Sequence, residues 1–177
     1  MYTLSYTQKQ NIYSKRGDNM HTYTRAEEYV DRLLKKHFIN HPEQLTINNI
    51  SSRLNIGVVY WEFGSESVRN KGKEIIFLQR KQTPEEQWEE FVHELSHCLW
   101  HVGRQEFMNR SFLDLQEEQA KYFTLHLCIP TRMLLKIKDL SISNIMRTFN
   151  VTQGLAAKRL LLFKNNYQEV HYEHYLI

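Results

Sequence analysis

The segment from Thr83 to Val102 constrains the fold most, because it combines the signals of a capped amphipathic helix with an ordered row of histidines. Thr83 is expected to be the N-cap, Pro84 the first helical residue and Glu86 the capping-box partner. Projected at about 100° per residue, the apolar side chains gather on one side, comprising Trp88, Phe91, Leu95, Cys98, Leu99 and Val102. The sequence therefore predicts a helix with an apolar back that packs against a core.

The opposite side of this helix carries the pattern His-Glu-Leu-Ser-His at residues 93–97. Residues i and i+4 lie one above the other on a helix, so the imidazoles of His93 and His97 can reach one ion. Glu94, turned about 100° away, can act as a general base toward a metal-activated water. This arrangement is typical of zinc peptidases and makes hydrolysis the leading hypothesis. The alternative is that the histidines line a solvated surface, although such a surface does not require an ordered row.

His101 lies one further i+4 step along the same side. About 12 Å along the helix axis separates it from His93, which is too far for both rings and His97 to bind one zinc ion at about 2.0–2.1 Å. We therefore interpret His101 as a residue of the cleft that contacts the metal ligands. The alternative is a helix-end histidine that caps free carbonyls.

A third ligand is expected from a second predicted helix, Leu113 to Cys128. Glu117 falls within its apolar stripe, about 40° from Leu113, whereas Glu118 lies a further 100° or so toward solvent. A carboxylate on a core-facing stripe is costly unless it is paired or binds a metal. Two histidines and Glu117 would leave the fourth zinc position open, as in catalytic sites. The alternative is a salt bridge from Glu117 to an Arg or Lys. The stripe consists of Leu113, Ala120, Phe123 and Leu127.

Residues 93–101 read His-Glu-Leu-Ser-His-Cys-Leu-Trp-His, residues 117–123 read Glu-Glu-Gln-Ala-Lys-Tyr-Phe, and residues 127–130 read Leu-Cys-Ile-Pro. Together they resemble the ImmA/IrrE family of small bacterial metallopeptidases. In that family's E-x-x-A-x-x-F pattern the glutamate three before the alanine is the third zinc ligand, which corresponds to Glu117. The resemblance extends more weakly on both sides, to about residues 24–163. Ser96 stands where glycine is common, which leaves the subgroup open.

The resemblance implies a small zincin-like fold, one Zn²⁺ per chain and peptide hydrolysis. It also implies a helix-turn-helix transcriptional repressor as the protein substrate, cleaved to relieve repression of a prophage, a mobile element or a stress regulon. The main alternative is a zinc-binding antirepressor that binds its partner without cutting it. Glu94 favours the enzyme, because a structural zinc has no use for a base. His101, Tyr60 or Tyr122 could stabilise the oxyanion.

The rest of the pattern predicts a mostly helical α+β fold with a short β-hairpin or small antiparallel sheet beside the active-site helix. Thr24 and Glu27 form the capping box of a helix to about Asn40, and Pro42 begins another. Residues 56–63 and 74–78 are rich in β-branched and aromatic side chains and are predicted to pair as the hairpin, a candidate edge for an extended substrate. The expected inward residues are Val30, Leu33, Leu34 and Phe38, then Ile47, Ile50 and Leu54.

The domain organisation is predicted from composition and motif placement. Ile142 to Phe163 can be drawn as a helix-turn-helix, but its second helix has little basic character beyond Lys158 and Arg159. A packing or partner-docking module is therefore favoured over direct DNA binding, which would be the third functional class. The predicted units are a flexible extension at 1–20, the zinc-peptidase domain at 21–138, a C-terminal helix pair at 139–165 and a tail at 166–177.

Composition limits the location and the partners. The chain has 177 residues, and 23 Lys and Arg against 20 Asp and Glu give a net charge of +3, too small to indicate a nucleic-acid surface. Its N-terminus lacks a secretory pattern and no stretch approaches 18 apolar residues, so we expect a cytoplasmic protein without membrane contact. Cys98 and Cys128 are expected to be buried thiols. His126 is expected to be partly buried, and His171 and His174 to lie in the tail without a metal.

Overall fold

The computed structural model describes residues 23–100 and 109–173, with side chains described as far as residue 166. Within them the fold is mostly helical with one small sheet, which confirms the predicted α+β class. The elements in chain order are α1 (Arg25–Lys36), a 3-10 turn (Pro42–Gln44), α2 (Ile47–Leu54), β1 (Gly57–Trp61), β2 (Glu66–Asn70), β3 (Lys73–Gln79), α3 (Pro84–Trp100), α4 (Arg110–Cys128), α5 (Thr131–Leu134), α6 (Ile142–Phe149) and α7 (Gln153–Glu173).

The helix α1 begins at the predicted capping box. The Thr24 hydroxyl accepts a hydrogen bond from the Glu27 N–H at 3.3 Å, and the Glu27 carboxylate accepts one from the Thr24 N–H at 2.8 Å. The helix ends at Lys36, before the predicted Asn40, because Phe38 adopts a left-handed φ of 55° that turns the chain. The prediction that Phe38 is buried is wrong. It is 74% exposed, and Ile39 enters the core in its place.

The second helix begins later than predicted. Pro42 opens only a 3-10 turn, and α2 starts at Ile47, after the Thr46 hydroxyl accepts a hydrogen bond from the Asn49 N–H at 3.2 Å. This cap supplies the start signal that the proline was expected to give. Ile50 is buried as expected, while Ile47 and Leu54 pack partly buried against the core.

The three strands form one mixed sheet in the order β1, β3, β2. The predicted hairpin between residues 56–63 and 74–78 is wrong in its pairing, since β1 runs parallel to β3 with Gly57 opposite Ile75. The hairpin is formed by β2 and β3 around Lys71 and Gly72, whose φ angles of 48° and 78° suit a two-residue turn. Because this tight turn pairs β3 with the strand just before it, only the other edge of β3 is left for β1.

The core lies where α3 meets the sheet and α4. The predicted apolar back of α3 is confirmed for its first half, because Trp88, Phe91 and Leu95 are buried. Each such burial contributes on the order of 1.5–3 kcal/mol. The opposite side of α3, which carries His93 and His97, is thereby held facing away from this core. The sheet contributes Ile76 and Leu78, and α4 contributes Ala120, Phe123 and Leu127.

A buried ion pair connects α1 with α7. The Glu27 carboxylate accepts hydrogen bonds from the Arg159 guanidinium at 3.3 Å and from the Thr131 hydroxyl at 2.5 Å. Arg159 also donates to the Thr131 hydroxyl at 2.6 Å and to the Ile129 carbonyl at 3.1 Å. His126 Nδ1 lies 3.7 Å from the same carboxylate oxygen. The network fixes the C-terminal helix to the first helix through the interior.

The helices α6 and α7 meet at Asn150, which has a left-handed φ of 51°. Phe149 and Val151 on either side of it are buried, so the pair packs through apolar side chains. α7 continues to Glu173, beyond the predicted boundary at 165. Among the helices that the structure describes, none has the length and apolar content needed to cross a membrane.

Candidate metal centre and active site

The start of α3 places its two histidines. Thr83 and Glu86 form the predicted capping box, with the Thr83 hydroxyl accepting from the Glu86 N–H at 3.3 Å and the Glu86 carboxylate accepting from the Thr83 N–H at 2.9 Å. From this cap the helix runs unbroken past His93 and His97. Their side chains are 22% and 10% exposed, which leaves the rings partly shielded but open to the cleft.

The helix α4 brings one carboxylate onto these rings. Its N-terminus is fixed by the Asn109 side chain, which accepts from the Phe112 N–H at 2.9 Å. Glu117, on its second turn, has Oε2 3.3 Å from His93 Nε2 and Oε1 3.4 Å from His97 Nε2. The two Nε2 atoms are 3.2 Å apart. Three potential ligand groups from two helices therefore converge on one point.

These separations fit a metal ion. Zinc bonds of about 2.0–2.2 Å in tetrahedral geometry place neighbouring ligand atoms about 3.4 Å apart. The two Nε2 atoms are 3.2 Å apart, and each lies 3.3 or 3.4 Å from a different oxygen of the Glu117 carboxylate. Within the described residues, His93, His97 and Glu117 form the group whose ligand atoms all lie within 4.8 Å of one another. The arrangement could hold a metal ion with one coordination position left for water.

The surroundings of Glu117 differ from those expected. Its side chain is 47% exposed. The prediction of Glu117 rested on the cost of burying a carboxylate, and that cost therefore does not account for its position. The neighbouring Gln116 and Ala120 are the buried residues of this stretch. The ion pairs of Glu117 in the described structure are with the two histidines. Glu118 instead points outward and pairs with Lys121 at 2.8 Å.

Glu94 lies beside this group in a more enclosed position. The residue is 8% exposed, and burial raises the pKa of its carboxyl above the ordinary value of 4.5, while a hydrogen bond from the Ser67 side chain and the nearby His93 act to lower it. A partly desolvated carboxylate with a raised pKa suits proton transfer near neutral pH. Its position, about 100° round α3 from His93, turns it toward β2.

Ser67 was not anticipated from the sequence. It lies on β2, between the two strands predicted at residues 56–63 and 74–78, and its side chain reaches both Glu94 and Cys98. The sequence signal for this strand is weak, because Val68 is the one residue of Glu66–Asn70 that strongly favours strands. β2 is thus the element that supports Glu94 from the sheet side.

A cavity of about 510 Å³ opens on the other side of the histidines, between α3, α4 and the start of α7. His93 and Tyr122 both line it, whereas Tyr60 lies on β1 at the far edge of the sheet. Of the two tyrosines considered for oxyanion stabilisation, Tyr122 is the one that shares a cavity wall with His93. The sequence does not reveal this cavity, because its walls come from three separate helices.

The remaining candidate residues have other surroundings. His101 lies outside the described residues, as do residues 1–20 and His174. His126 is fully buried beside the Glu27 carboxylate and packs edge-on against Tyr122, so it is more enclosed than expected. Cys98 and Cys128 are free thiols, and burial raises the pKa of Cys98 to about 12. His171 lies within α7.

Comparison with known proteins places these features in a wider group. Residues 51–161 match the peptidase M78 family, described as the IrrE N-terminal-like domain. The chain is 39% identical over 143 residues to the phage-like element PBSX protein XkdA of Bacillus subtilis (strain 168), covering 78% of this chain and 72% of that one. It is 32% identical over 148 residues to the uncharacterized protein YqaB of the same organism, covering 81% and 86%.

A solved structure has a similar fold. It is titled Mycobacterium tuberculosis transcriptional regulator, and it superposes with a TM-score of 0.56 over 76% of this chain at 13% sequence identity. The chain spans 45% of the length of that protein. At this identity the similarity concerns the fold alone, and it agrees with a small α+β domain.

Proposed function

Because the chain belongs to the peptidase M78 family, with its IrrE N-terminal-like domain, we propose that it is a zinc-dependent endopeptidase that cleaves a helix-turn-helix repressor. The observation that carries the proposal is the convergence of His93, His97 and Glu117 within 4.8 Å, next to the buried carboxylate of Glu94. A purely structural metal site needs the three ligands but has no use for that carboxylate.

In the proposed reaction the residues of the chain have distinct tasks. His93, His97 and Glu117 would hold the ion. A bound Zn²⁺ would supply Lewis-acid polarisation of the scissile carbonyl and lower the pKa of water toward neutrality. Glu94 accepts a proton from the attacking water and passes it to the leaving amine. The Ser67 hydrogen bond holds the Glu94 carboxylate in place for both transfers.

The sheet offers a place for the substrate backbone. β2 is an outer strand in the order β1, β3, β2, and it is also the strand whose Ser67 contacts Glu94. An extended peptide that pairs with the outer edge of β2 would have its backbone aligned beside the catalytic carboxylate. The proposal therefore assigns substrate alignment to β2, in place of the hairpin of residues 56–63 and 74–78 predicted from the sequence.

The repressor as substrate is proposed from the family resemblance and from the phage-like element that gives one relative its name. Release of a prophage or mobile element from repression is the setting that this relationship supports. A second function remains in competition, in which the chain binds zinc and the repressor and relieves repression without cutting. The buried Glu94 favours the peptidase over this antirepressor.

The test uses co-expression with each helix-turn-helix repressor that the genome of origin encodes near this gene. We expect the wild-type chain to shorten the repressor and a metal chelator to prevent this in the purified mixture. Glu94→Gln should retain metal but leave the repressor intact, because the proton acceptor is lost. Glu85→Gln, on the first turn of the same helix, serves as the matched control and should cleave normally.

Two results would contradict the proposal. If Glu94→Gln shortened the repressor as fast as the wild type, Glu94 would not be the base. If repression were relieved by both proteins while the repressor stayed full length, the antirepressor would be the better account.

A further inference from the structure

We infer that the cavity between α3, α4 and the start of α7 receives a large apolar side chain of the substrate, next to the scissile bond. This inference rests on the proposed peptidase function. It assigns to Gly154 the role of keeping the cavity open and thereby setting the size of the side chain that is accepted.

The cavity has the size and the walls of a side-chain pocket. Its volume is about 510 Å³, within the range of roughly 300–1,000 Å³ that is typical of ligand sites. Leu125 of α4 and Leu155 of α7 supply apolar surface, and Tyr122 adds an aromatic ring. His93 forms part of the wall, so the cavity begins at one of the candidate metal ligands. A side chain entering it would stay close to the reacting bond.

The charges around the cavity do not favour a charged side chain. The Glu89 carboxylate is already bound by the Thr152 N–H at 2.6 Å and by the Thr152 hydroxyl at 3.2 Å. At the mouth, Glu118 and Lys121 neutralise each other. The other charged lining residues, Glu90 and Lys158, are of opposite sign. With both signs of charge on the wall, the apolar part of the lining gives the larger difference in binding free energy between side chains.

The cavity also has the right position relative to β2. Around α3, Glu94 faces β2, Glu89 faces the start of α7, and the two histidines lie between these directions. A peptide aligned along β2 and crossing the histidines therefore reaches the cavity on their other side. The substrate side chain next to the scissile bond is therefore the one that can enter the cavity.

Gly154 is the lining residue without a side chain, so a substitution there adds volume at the cavity wall. It is exposed near the start of α7, and a Cβ added there would meet only the Thr152 hydroxyl, at 3.9 Å. A methyl group is therefore accommodated without a clash, whereas a large side chain would extend into the cavity. This gives two variants that differ in cavity volume but not in any proposed metal ligand.

The first experiment compares the wild type, Gly154→Ala and Gly154→Trp on a peptide library whose cleavage sites are read by mass spectrometry. We expect the wild type and Gly154→Ala to prefer a large apolar residue on one side of the cleaved bond. Gly154→Trp should lose about tenfold or more on those sites and shift toward small residues. An unchanged preference in Gly154→Trp, or a wild type without any preference at these positions, would overturn the inference. Circular dichroism checks folding, and Gly154→Leu provides a second large substitution.

A second experiment does not depend on cleavage. The Leu125 and Leu155 methyl resonances are followed by NMR during titration with N-acetyl-phenylalaninamide or N-acetyl-glycinamide. We expect shifts with the phenylalanine compound, and their loss in Gly154→Trp. Equal responses to both compounds, or to the phenylalanine compound in both proteins, would contradict the pocket. If the wild type cleaves neither the repressor nor any library peptide, the peptidase proposal fails, and this titration still decides whether the cavity binds apolar side chains.

Discussion

At the scale of single residues, the acidic side chains of α3 differ in what holds them. Glu94 faces Ser67 of the sheet, whereas Glu89 faces the turn before α7 and accepts two hydrogen bonds from Thr152. Because Thr152 also accepts from the Leu155 N–H at 3.3 Å, Glu89 supports the cap of α7. The helix α3 thus carries the proposed catalytic carboxylate, Glu94, on one face. A second carboxylate, Glu89, holds the C-terminal helix pair from another face.

Glu89 gives a pH dependence of stability. Burial raises the pKa of its carboxyl above 4.5, although the two hydrogen bonds from Thr152 act against this. The folded chain therefore binds the proton more tightly than the unfolded chain, and the free energy of unfolding falls as pH rises through the window just above 4.5. In Glu89→Gln this contribution is absent. Urea unfolding of both proteins from pH 4 to 7 should show the wild type losing stability relative to the variant. A constant difference, or one of opposite slope, would contradict the assignment.

The candidate site could be predicted from the sequence to the extent that it depends on helix geometry. The spacing of His93 and His97 places both rings on one side of α3, and the structure brings Glu117 rather than Glu118 to them. The expected reason, a carboxylate facing the core, does not hold because the Glu117 side chain is 47% exposed. Ser67 was missed because its approach to Glu94 depends on how the sheet packs on α3.

At the scale of the elements, capping boxes located the starts of two helices, whereas Pro42 did not mark the start of α2. Both predicted capping boxes, at Thr24 and Thr83, are present in the structure. Strand pairing was not predictable in the same way, because the partner of β1 is chosen by the turn between β2 and β3. The polar composition of β2 concealed it, since Glu66–Asn70 has few of the residues that favour strands.

Two glycines provide a test at this scale. Gly72 has a φ of 78° in the turn between β2 and β3, so Gly72→Ala should destabilise the fold by roughly 1–2 kcal/mol through backbone strain. Gly154 lies in a helix with free space around it, so Gly154→Ala should stabilise by up to about 1 kcal/mol. Chemical denaturation of the two variants measures both changes. Equal effects, or a loss of stability only in Gly154→Ala, would contradict these assignments.

At the scale of the whole molecule, the ion pair between Glu27 and Arg159 joins parts of the chain that are far apart in sequence. The two side chains are 1% and 0% exposed, and the pair closes around Thr131. The sequence pattern predicts Glu27 only as part of a capping box and Arg159 only as a basic residue of the C-terminal helix pair. Their pairing depends on the tertiary arrangement of α1, α5 and α7, which the local pattern does not encode.

Removal of one partner should therefore be costly. Arg159→Met leaves the Glu27 carboxylate buried without its cation, and the expected loss is about 3–5 kcal/mol. Arg159→Met combined with Glu27→Gln should lose less than the sum of the two single variants, because neither charge is then left alone. Free energies of unfolding in urea measure the difference. Additive losses, or a loss below about 1 kcal/mol in Arg159→Met, would mean that the pair does not link the helices energetically.

The central claim is that this fold assembles a metal centre from two helices, and the most direct test is the metal content of three purified proteins. Inductively coupled plasma mass spectrometry of the wild type, Glu117→Ala and Glu118→Ala identifies the metal and its amount. The account predicts close to one zinc per chain in the wild type and in Glu118→Ala, and a steep loss in Glu117→Ala, which keeps only the two histidines. Zinc retained by Glu117→Ala and lost from Glu118→Ala, or a wild type that binds no metal, would contradict it.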